Sequence, residues 1–418
     1  MHPLRRFEGF PSSADGATVE DMGAIVIVGA GLAAAKAAEA LRDLGHDGPI
    51  TLIGAESHPP YERPPLSKDY LQGKAERDSV FPFDAAWYAD HDVTVRTGVR
   101  ATSLDREARA VGLDTGESLP YDDLLLATGS RARPLPGADG VHYLRTLDDS
   151  DALRAVFDKG GRLGVVGGGW IGLEAAAAAR GAGLEVTVVE PAEQPLLGAL
   201  GPELGKVFAD LHRAHGVDLR TGTGVRAVEP GGRGLVLEDG TTIETDAVLV
   251  GIGAMPNIEL AEAAGLETAE GGVAVDAGLR TSDPHVFAVG DIAAAENPTI
   301  GQRVRVEHWA NALNQPRVAA ANMLGGSEVY DRLPYFFTDQ YQLGMEYLGL
   351  STGYDDVVIR GDVDALEFVA FWLAEGRVLA GMNVNVWDVG DDVRALITSR
   401  RVVDAARLAD PGVPLAEV

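Results

Sequence analysis

Residues 24–56 read AIVIVGAGLAAAKAAEALRDLGHDGPITLIGAE. A β-branched run leads straight into Gly29-Ala30-Gly31, an alanine-rich stretch of helical period follows, and a second apolar run ends at Glu56. This is the pattern of strand, glycine turn, helix and strand that binds dinucleotides. Gly29 permits the tight turn. Gly31 has no Cβ, so a pyrophosphate can approach the free N–H groups at the start of the helix. Ala34 at the third position allows the helix to pack close to its strand. Glu56 stands just past the second strand, where a carboxylate accepts hydrogen bonds from a ribose.

The pattern occurs twice. Residues 163–190, LGVVGGGWIGLEAAAAARGAGLEVTVVE, repeat it with Gly167, Gly169 and Gly172 as the three glycines and Glu190 as the terminal acid. The duplication continues downstream, where VTVRTGVRATSLDREARAVGLDTGESLPYDDLLLATG (93–129) parallels VDLRTGTGVRAVEPGGRGLVLEDGTTIETDAVLVGIG (217–253). Short alternating strands around DTG and EDG predict a β-meander that returns to the sheet. Two copies of one nucleotide-binding design imply two bound nucleotides. The first copy is longer by about 14 residues, in the manner of a loop insertion on a shared scaffold. They include the proline-rich HPPYERPPLSK (58–68), read as a stiff loop rather than a helix or central strand. An acid at position 190 accepts from a ribose 2′-OH and repels a 2′-phosphate. Pro191-Ala192-Glu193-Gln194 supply no arginine to reverse the choice, so NADH is expected over NADPH.

The α/β class follows, with two Rossmann-like nucleotide-binding domains and a C-terminal α+β domain. The expected boundaries are a disordered leader at 1–21, a first nucleotide domain split into 22–135 and 256–332, a second at 136–255, and the α+β domain at 333–418. Met22 could serve as an alternative start. A helix is expected from Trp309 to Leu324, and one or two helices at the C-terminus. The chain has 418 residues, more than one core usually holds. Its net charge of −28 argues against nucleic acid and anionic lipid as partners. The chain lacks a long apolar run and the core of a signal peptide, which with the absence of cysteine suits a cytoplasmic protein. With no cysteine, disulfide reduction, thiol peroxidase chemistry and Cys-held metal or iron–sulfur centres are excluded. The nine histidines form no metal-ligand spacing, so no metal is expected.

From about residue 23 to 400 the chain resembles the FAD-dependent NADH:ferredoxin reductases of bacterial oxygenase systems, relatives of apoptosis-inducing factor. The motifs that carry the resemblance are VGAG, YERPPLSK, LLATG, YLRT, GGGWIGLE, GIGAMPN, TSDPHVFAVGD and EHWANALNQ. It implies a glutathione-reductase-like architecture, with the C-terminal domain covering the flavin. It also implies residue roles. Lys68 should lie near flavin N5, with Pro65 lining the ring. Ala101 should meet the adenine through its backbone, and Ala127, Thr128 and Gly129 should border the FAD. Arg145 should reach its phosphates. Gly290 and Asp291 should hold the ribityl chain, and Glu307, His308 and Trp309 should border the flavin, with Trp309 on its pyrimidine side. On the NAD side stand Ile171, Glu174 and Gly253, with Glu174 facing the nicotinamide and pairing with Lys68 as the catalytic pair. On residue type alone, Lys68 reads as a solvated loop lysine, Glu174 as an exposed helix glutamate and Trp309 as core packing. His308 is not expected to act as a base, since hydride transfer to flavin needs none.

The expected reaction is hydride transfer from NADH to non-covalent FAD, and single-electron delivery to a [2Fe–2S] ferredoxin serving a cytochrome P450 or a ring-hydroxylating oxygenase. The docking region is expected near Arg317 and Tyr335–Phe337, with Arg303, Arg305 and Arg332 as further candidates. Where relatives often carry a Trp-Phe-Trp motif, this chain has Tyr335-Phe336-Phe337. Alternatives are an NADH oxidoreductase acting on quinones, dyes or oxygen, and an NADH-sensing binding protein like apoptosis-inducing factor. A monomer or weak homodimer is expected.

Overall fold

A computed structural model describes residues 23–418. The leader expected at 1–21 and Met22 lie outside the described residues.

The run IVIV forms strand Ile25–Val28, buried along its whole length. It is central in a five-stranded parallel sheet ordered Val286–Ala288, Asp123–Leu126, Ile25–Val28, Ile50–Gly54, Val93–Thr97. Parallel sheets of this kind are covered on both faces, which is why their strands read as continuous apolar runs rather than alternations. Helix Leu32–Asp43 lies against helix Trp309–Met323, which ends one residue before the expected Leu324.

The second glycine turn sits on a four-stranded parallel sheet ordered Asp218–Thr221, Glu185–Glu190, Arg162–Val166, Ala247–Val250. Each sheet carries a three-stranded antiparallel meander, at 101–120 and at 225–244, around the two turns expected from the sequence. The fifth strand of the first sheet, Val286–Ala288, comes from chain beyond the second sheet. The chain thus leaves the first sheet and returns to it. The two passages, Ser130–Ala132 and Ala254–Pro256, pair antiparallel.

Residues 335–384 form a five-stranded antiparallel sheet ordered Tyr335–Gln340, Leu343–Gly349, Arg377–Val384, Glu367–Ala374, Asp356–Asp362. One face shares a core with the helices of the second glycine-turn unit. Phe368, Trp372 and Met382 pack with Leu173, Leu204 and Phe208, and the Trp372 Nε1–H donates to the Leu200 carbonyl at 3.2 Å. The other face is covered by helices Gly390–Ser399 and Ala405–Ala409.

One local expectation is corrected. The proline-rich 58–68 segment is not wholly loop, because Pro64–Ser67 forms a 3-10 turn. Proline is tolerated in a first helical turn, where its missing N–H would have no partner in any case.

Candidate functional site

The two glycine turns have the same geometry. At Gly29, φ is 127°, and an added Cβ would fall 2.1 Å from the Ala127 carbonyl oxygen. At Gly167, φ is 102°, and a Cβ would fall 2.5 Å from the Gly251 carbonyl oxygen. Both positions demand glycine through backbone conformation and through contact with the end of the neighbouring strand. Gly31 differs, since no atom of the chain lies within 4 Å of a Cβ built there. What glycine leaves open at Gly31 is the approach to the N-terminus of helix Leu32–Asp43, which has no side-chain cap. That is the cradle a pyrophosphate requires. Gly172 packs its helix on the turn, with a Cβ 2.2 Å from the Gly167 oxygen, and Ala34 is fully buried in the equivalent place.

The two terminal acids behave differently. Glu190 closes the second turn, accepting from the Gly168 N–H at 2.6 Å and the Ala192 N–H at 2.9 Å. Its carboxylate is thereby fixed beside the glycines. Glu56 accepts from Tyr61 Oη–H and, at 2.8 Å, from Arg63. Arg63 also reaches the Arg145 carbonyl, so this carboxylate anchors the proline-rich segment.

Lys68 and Glu174 meet. The Lys68 ammonium donates to Glu174 Oε1 at 2.7 Å, with side chains 14% and 4% exposed. Neither is the solvated residue that its type alone suggested. Two hydroxyls complete the carboxylate's shell: Ser67 donates to Oε2, and Thr338 donates to Oε1 at 2.6 Å. Three donors around a buried carboxylate offset much of its lost hydration. Lys68 also lies over the Phe337 ring, 5.3 Å from its centroid. Partial loss of hydration raises the pKa of the nearby, surface-facing Asp339 carboxyl, with Lys68 opposing. Sequence reasoning missed Ser67 and Thr338 as partners of Glu174. Ser67 lay inside YERPPLSK and Thr338 directly after Tyr335-Phe336-Phe337, but nothing in residue spacing connects either to position 174.

A second cluster surrounds Asp291. Arg145 pairs with its carboxylate, and the Arg145 Nε–H donates to the Ser130 carbonyl at 2.8 Å. The Gly290 N–H donates to Gln315 Oε1 at 2.7 Å, which fixes the turn in front of Asp291. His308 stands at the N-terminus of helix Trp309–Met323 against Phe336. Burial lowers its pKa to about 4, so the ring is neutral at neutral pH. Trp309 donates from Nε1 to Glu62 at 3.2 Å and meets Phe337 edge to face. Glu307 pairs with Arg305.

The buried His308 Nδ1 and Ser130 Oγ have no hydrogen-bond partner among the described residues. Two buried polar atoms without partners beside an Arg–Asp pair, together with the open cradle at Gly31, fit a polar cofactor lying along this line.

The remaining expected positions lie at turns and strand ends. Thr128 Oγ1 donates to the Asn257 carbonyl at 2.6 Å, the Asn257 N–H donates to the Gly129 carbonyl at 2.8 Å, and Asn257 Nδ2 returns a bond to the Thr128 carbonyl. Asn257, also missed, therefore ties Ala127-Thr128-Gly129 to the returning chain. Gly253 faces Arg133 across the paired passages, and Ala101 begins the first meander. Pro65 lies in the 3-10 turn, and Ile171 is exposed near the start of its helix. Among the arginines expected to dock a partner, Arg303 is held by Glu296 and two carbonyls, and Arg305 by Glu307. Arg317 and Arg332 are exposed.

Fold and site together define a two-nucleotide flavoprotein of the pyridine-nucleotide type. The chain belongs to the pyridine nucleotide-disulphide oxidoreductase family, whose model matches residues 23–315; a reductase C-terminal model matches 335–418. It is 45% identical to the ferredoxin–NAD(+) reductase component of the anthranilate 1,2-dioxygenase system of Burkholderia cepacia, over 93% of this chain and 98% of that protein. Putidaredoxin reductase of Pseudomonas putida is 39% identical over 94% of this chain and 96% of its own length. The crystal structure of the covalent putidaredoxin reductase–putidaredoxin complex matches with a TM-score of 0.90 and 38% identity, covering 95% of this chain and 98% of that one. The cofactors are FAD and NAD(H). The disulphide in the family's description has no counterpart here, since the chain contains no cysteine.

Proposed function

We propose that the chain takes hydride from NADH onto FAD and delivers electrons one at a time to a [2Fe–2S] ferredoxin of an oxygenase system, in the cytoplasm. The observation that carries this reading is the buried Lys68–Glu174 pair, which joins the proline-rich segment of one glycine-turn unit to the glycine-turn helix of the other. The lack of cysteine closes the disulfide route, so electrons leave for an acceptor outside the chain.

Bound FAD supplies the conversion between a two-electron hydride and single electrons. The protein's part is to bind, orient and adjust charge. The glycine turn at 29–31 would take the pyrophosphate on helix N–H groups, and Arg145 and Asp291 would hold the phosphates and the ribityl chain. Neutral His308 offers a ring nitrogen to the cofactor and does not exchange protons near neutral pH. Lys68 would place its positive charge beside bound FAD, and Glu174, which fixes that ammonium, would lie toward the nicotinamide. Phe336, Phe337 and Trp309 cover the region and exclude water. Glu190, pinned by two backbone N–H groups, selects the ribose hydroxyl of NADH. Arg317 and Arg332 remain to steer an acidic partner to the edge near Tyr335–Phe337.

The test is anaerobic bleaching of the flavin by NADH, followed by turnover with a [2Fe–2S] ferredoxin coupled to cytochrome c. Fast bleaching with ferredoxin-dependent turnover is expected. Turnover with quinones or dyes but none with any ferredoxin would overturn the partner assignment, and slow reoxidation with dimer formation on reduction would point to a sensing role.

A further inference from the structure

Beyond Glu174 the hydrogen bonding does not stop. Thr338 Oγ1, which donates to Glu174, accepts from Gln340 Nε2 at 3.2 Å. Gln340 Oε1 meets His212 Nε2 at 2.8 Å, and His212 Nδ1 meets Tyr341 Oη at 3.4 Å. His212, Thr338 and Gln340 are each at most 1% exposed. His212 lies in the last turn of helix Leu197–Ala214 of the second glycine-turn unit, while Thr338 and Gln340 lie on the first strand of the C-terminal sheet.

The direction of this chain is forced by chemistry. A carboxylate only accepts, so the single Thr338 hydroxyl proton points to Glu174. Its oxygen then accepts from the Gln340 amide nitrogen. The Gln340 oxygen, left toward His212, requires a proton on Nε2, and Nδ1 is left to accept from Tyr341. Turning any one member reverses the rest. An apolar seam would pack the same interface without the cost of burying a histidine and an amide. The polar seam instead specifies one orientation of Thr338 and so one position of Glu174.

We propose that His212 and Gln340 are positioning residues for hydride transfer: acting through Thr338, they hold the Glu174 carboxylate against Lys68. The inference rests on the roles assigned above to Lys68 and Glu174.

The test uses the FAD-loaded enzyme and four variants: His212→Leu, His212→Gln, Gln340→Met and Glu174→Gln. Stopped-flow bleaching by NADH gives the limiting rate and the apparent NADH affinity, and potentiometry gives the flavin midpoint potential. Gln340→Met and His212→Leu should lower the limiting rate roughly tenfold or more, the scale of one misdirected hydrogen bond to a charged group, with little change in NADH affinity. In His212→Leu the midpoint potential should fall, because a Gln340 amide freed to turn its oxygen toward Thr338 draws that hydroxyl off Glu174, and the less compensated charge opposes reduction nearby. His212→Gln keeps an N–H toward Gln340 and should restore rate and potential. If His212→Leu and His212→Gln are equally slow, the seam matters only for packing and the inference fails. If Glu174→Gln is slow while the other three match wild type, this inference alone fails. If Glu174→Gln bleaches at the wild-type rate, the reading of the site itself fails. Should the leucine variant not fold, nitrogen-15 histidine spectra of the wild-type holoenzyme decide the point. They should show His212 neutral with its proton on Nε2, and a proton on Nδ1 would overturn the proposed direction.

Discussion

Replacing Lys68 by methionine removes a charge but keeps most of the side-chain volume. At 2.7 Å the gross attraction between Lys68 and Glu174 is about 6 kcal/mol if the effective dielectric constant is ~20. Desolvation of both groups consumes much of this, and breaking a buried pair from one side typically costs about 3–5 kcal/mol. Ser67 and Thr338 still donate to the stranded carboxylate, so the expected loss falls at or just below the low end, about 2–3 kcal/mol. A protein with about 5–15 kcal/mol in hand survives that loss and stays folded. Guanidinium denaturation of the FAD-saturated protein would compare wild type, Lys68→Met, Glu174→Met and the double variant. Removing both charges should recover most of the loss, because a well-packed apolar pair is often as stable as a buried ion pair. The cycle should give a coupling of at least about 2 kcal/mol, together with slower flavin reduction in Lys68→Met. Coupling below about 0.5 kcal/mol would mean that the pair is incidental, and the reasoning from burial and distance would be refuted.

Glu190→Ala should lower kcat/KM for NADH by roughly tenfold and narrow the gap to NADPH, read from initial rates with both donors; a wild-type preference for NADPH would contradict the assignment. Gly31→Ala should fold normally by circular dichroism yet lose FAD, because the open space there suits the cofactor rather than the chain, whereas Gly29→Ala should fail to accumulate as folded protein, its Cβ striking a backbone carbonyl; full FAD occupancy in Gly31→Ala would refute the cradle. FAD should leave entirely with the supernatant on acid precipitation, and colour in the pellet would show a covalent link. His212 and His308 both have pKa values lowered to about 4 by burial, below an unfolded value near 6.5. The unfolded chain therefore binds more protons between these values, so stability should rise from pH 4 to 6.5 by about 3 kcal/mol per histidine and then level off; thermal unfolding in which His212→Gln keeps the full acid slope would contradict this.

The sequence by itself determined the local designs. Two strand–glycine–helix–strand copies, two meanders and a terminal aromatic, β-branched region are all legible in the chain, because each is set by near-neighbour physics: the period of apolar residues, the positive φ of Gly29 and Gly167, the turn residues of the meanders. The acid that closes the second turn was equally legible, since Glu190 ends the strand paired with the one that leads into the turn and accepts from Gly168 there and from Ala192 beside it. The proline-rich segment was read too simply, because a 3-10 turn depends on how Pro64–Ser67 docks as well as on its prolines. The tertiary structure alone decided what surrounds Glu174. Ser67, Thr338, Gln340 and His212 come from three parts of the chain, and no spacing along it connects them. Family resemblance supplied the pairing of Lys68 with Glu174, but burial and the hydroxyl shell emerged only when the proline-rich segment, the second glycine-turn helix and the C-terminal sheet packed together. A carboxylate's solvation, and therefore its charge and position, is a property of everything within a few ångströms of it, and that neighbourhood is assembled by packing.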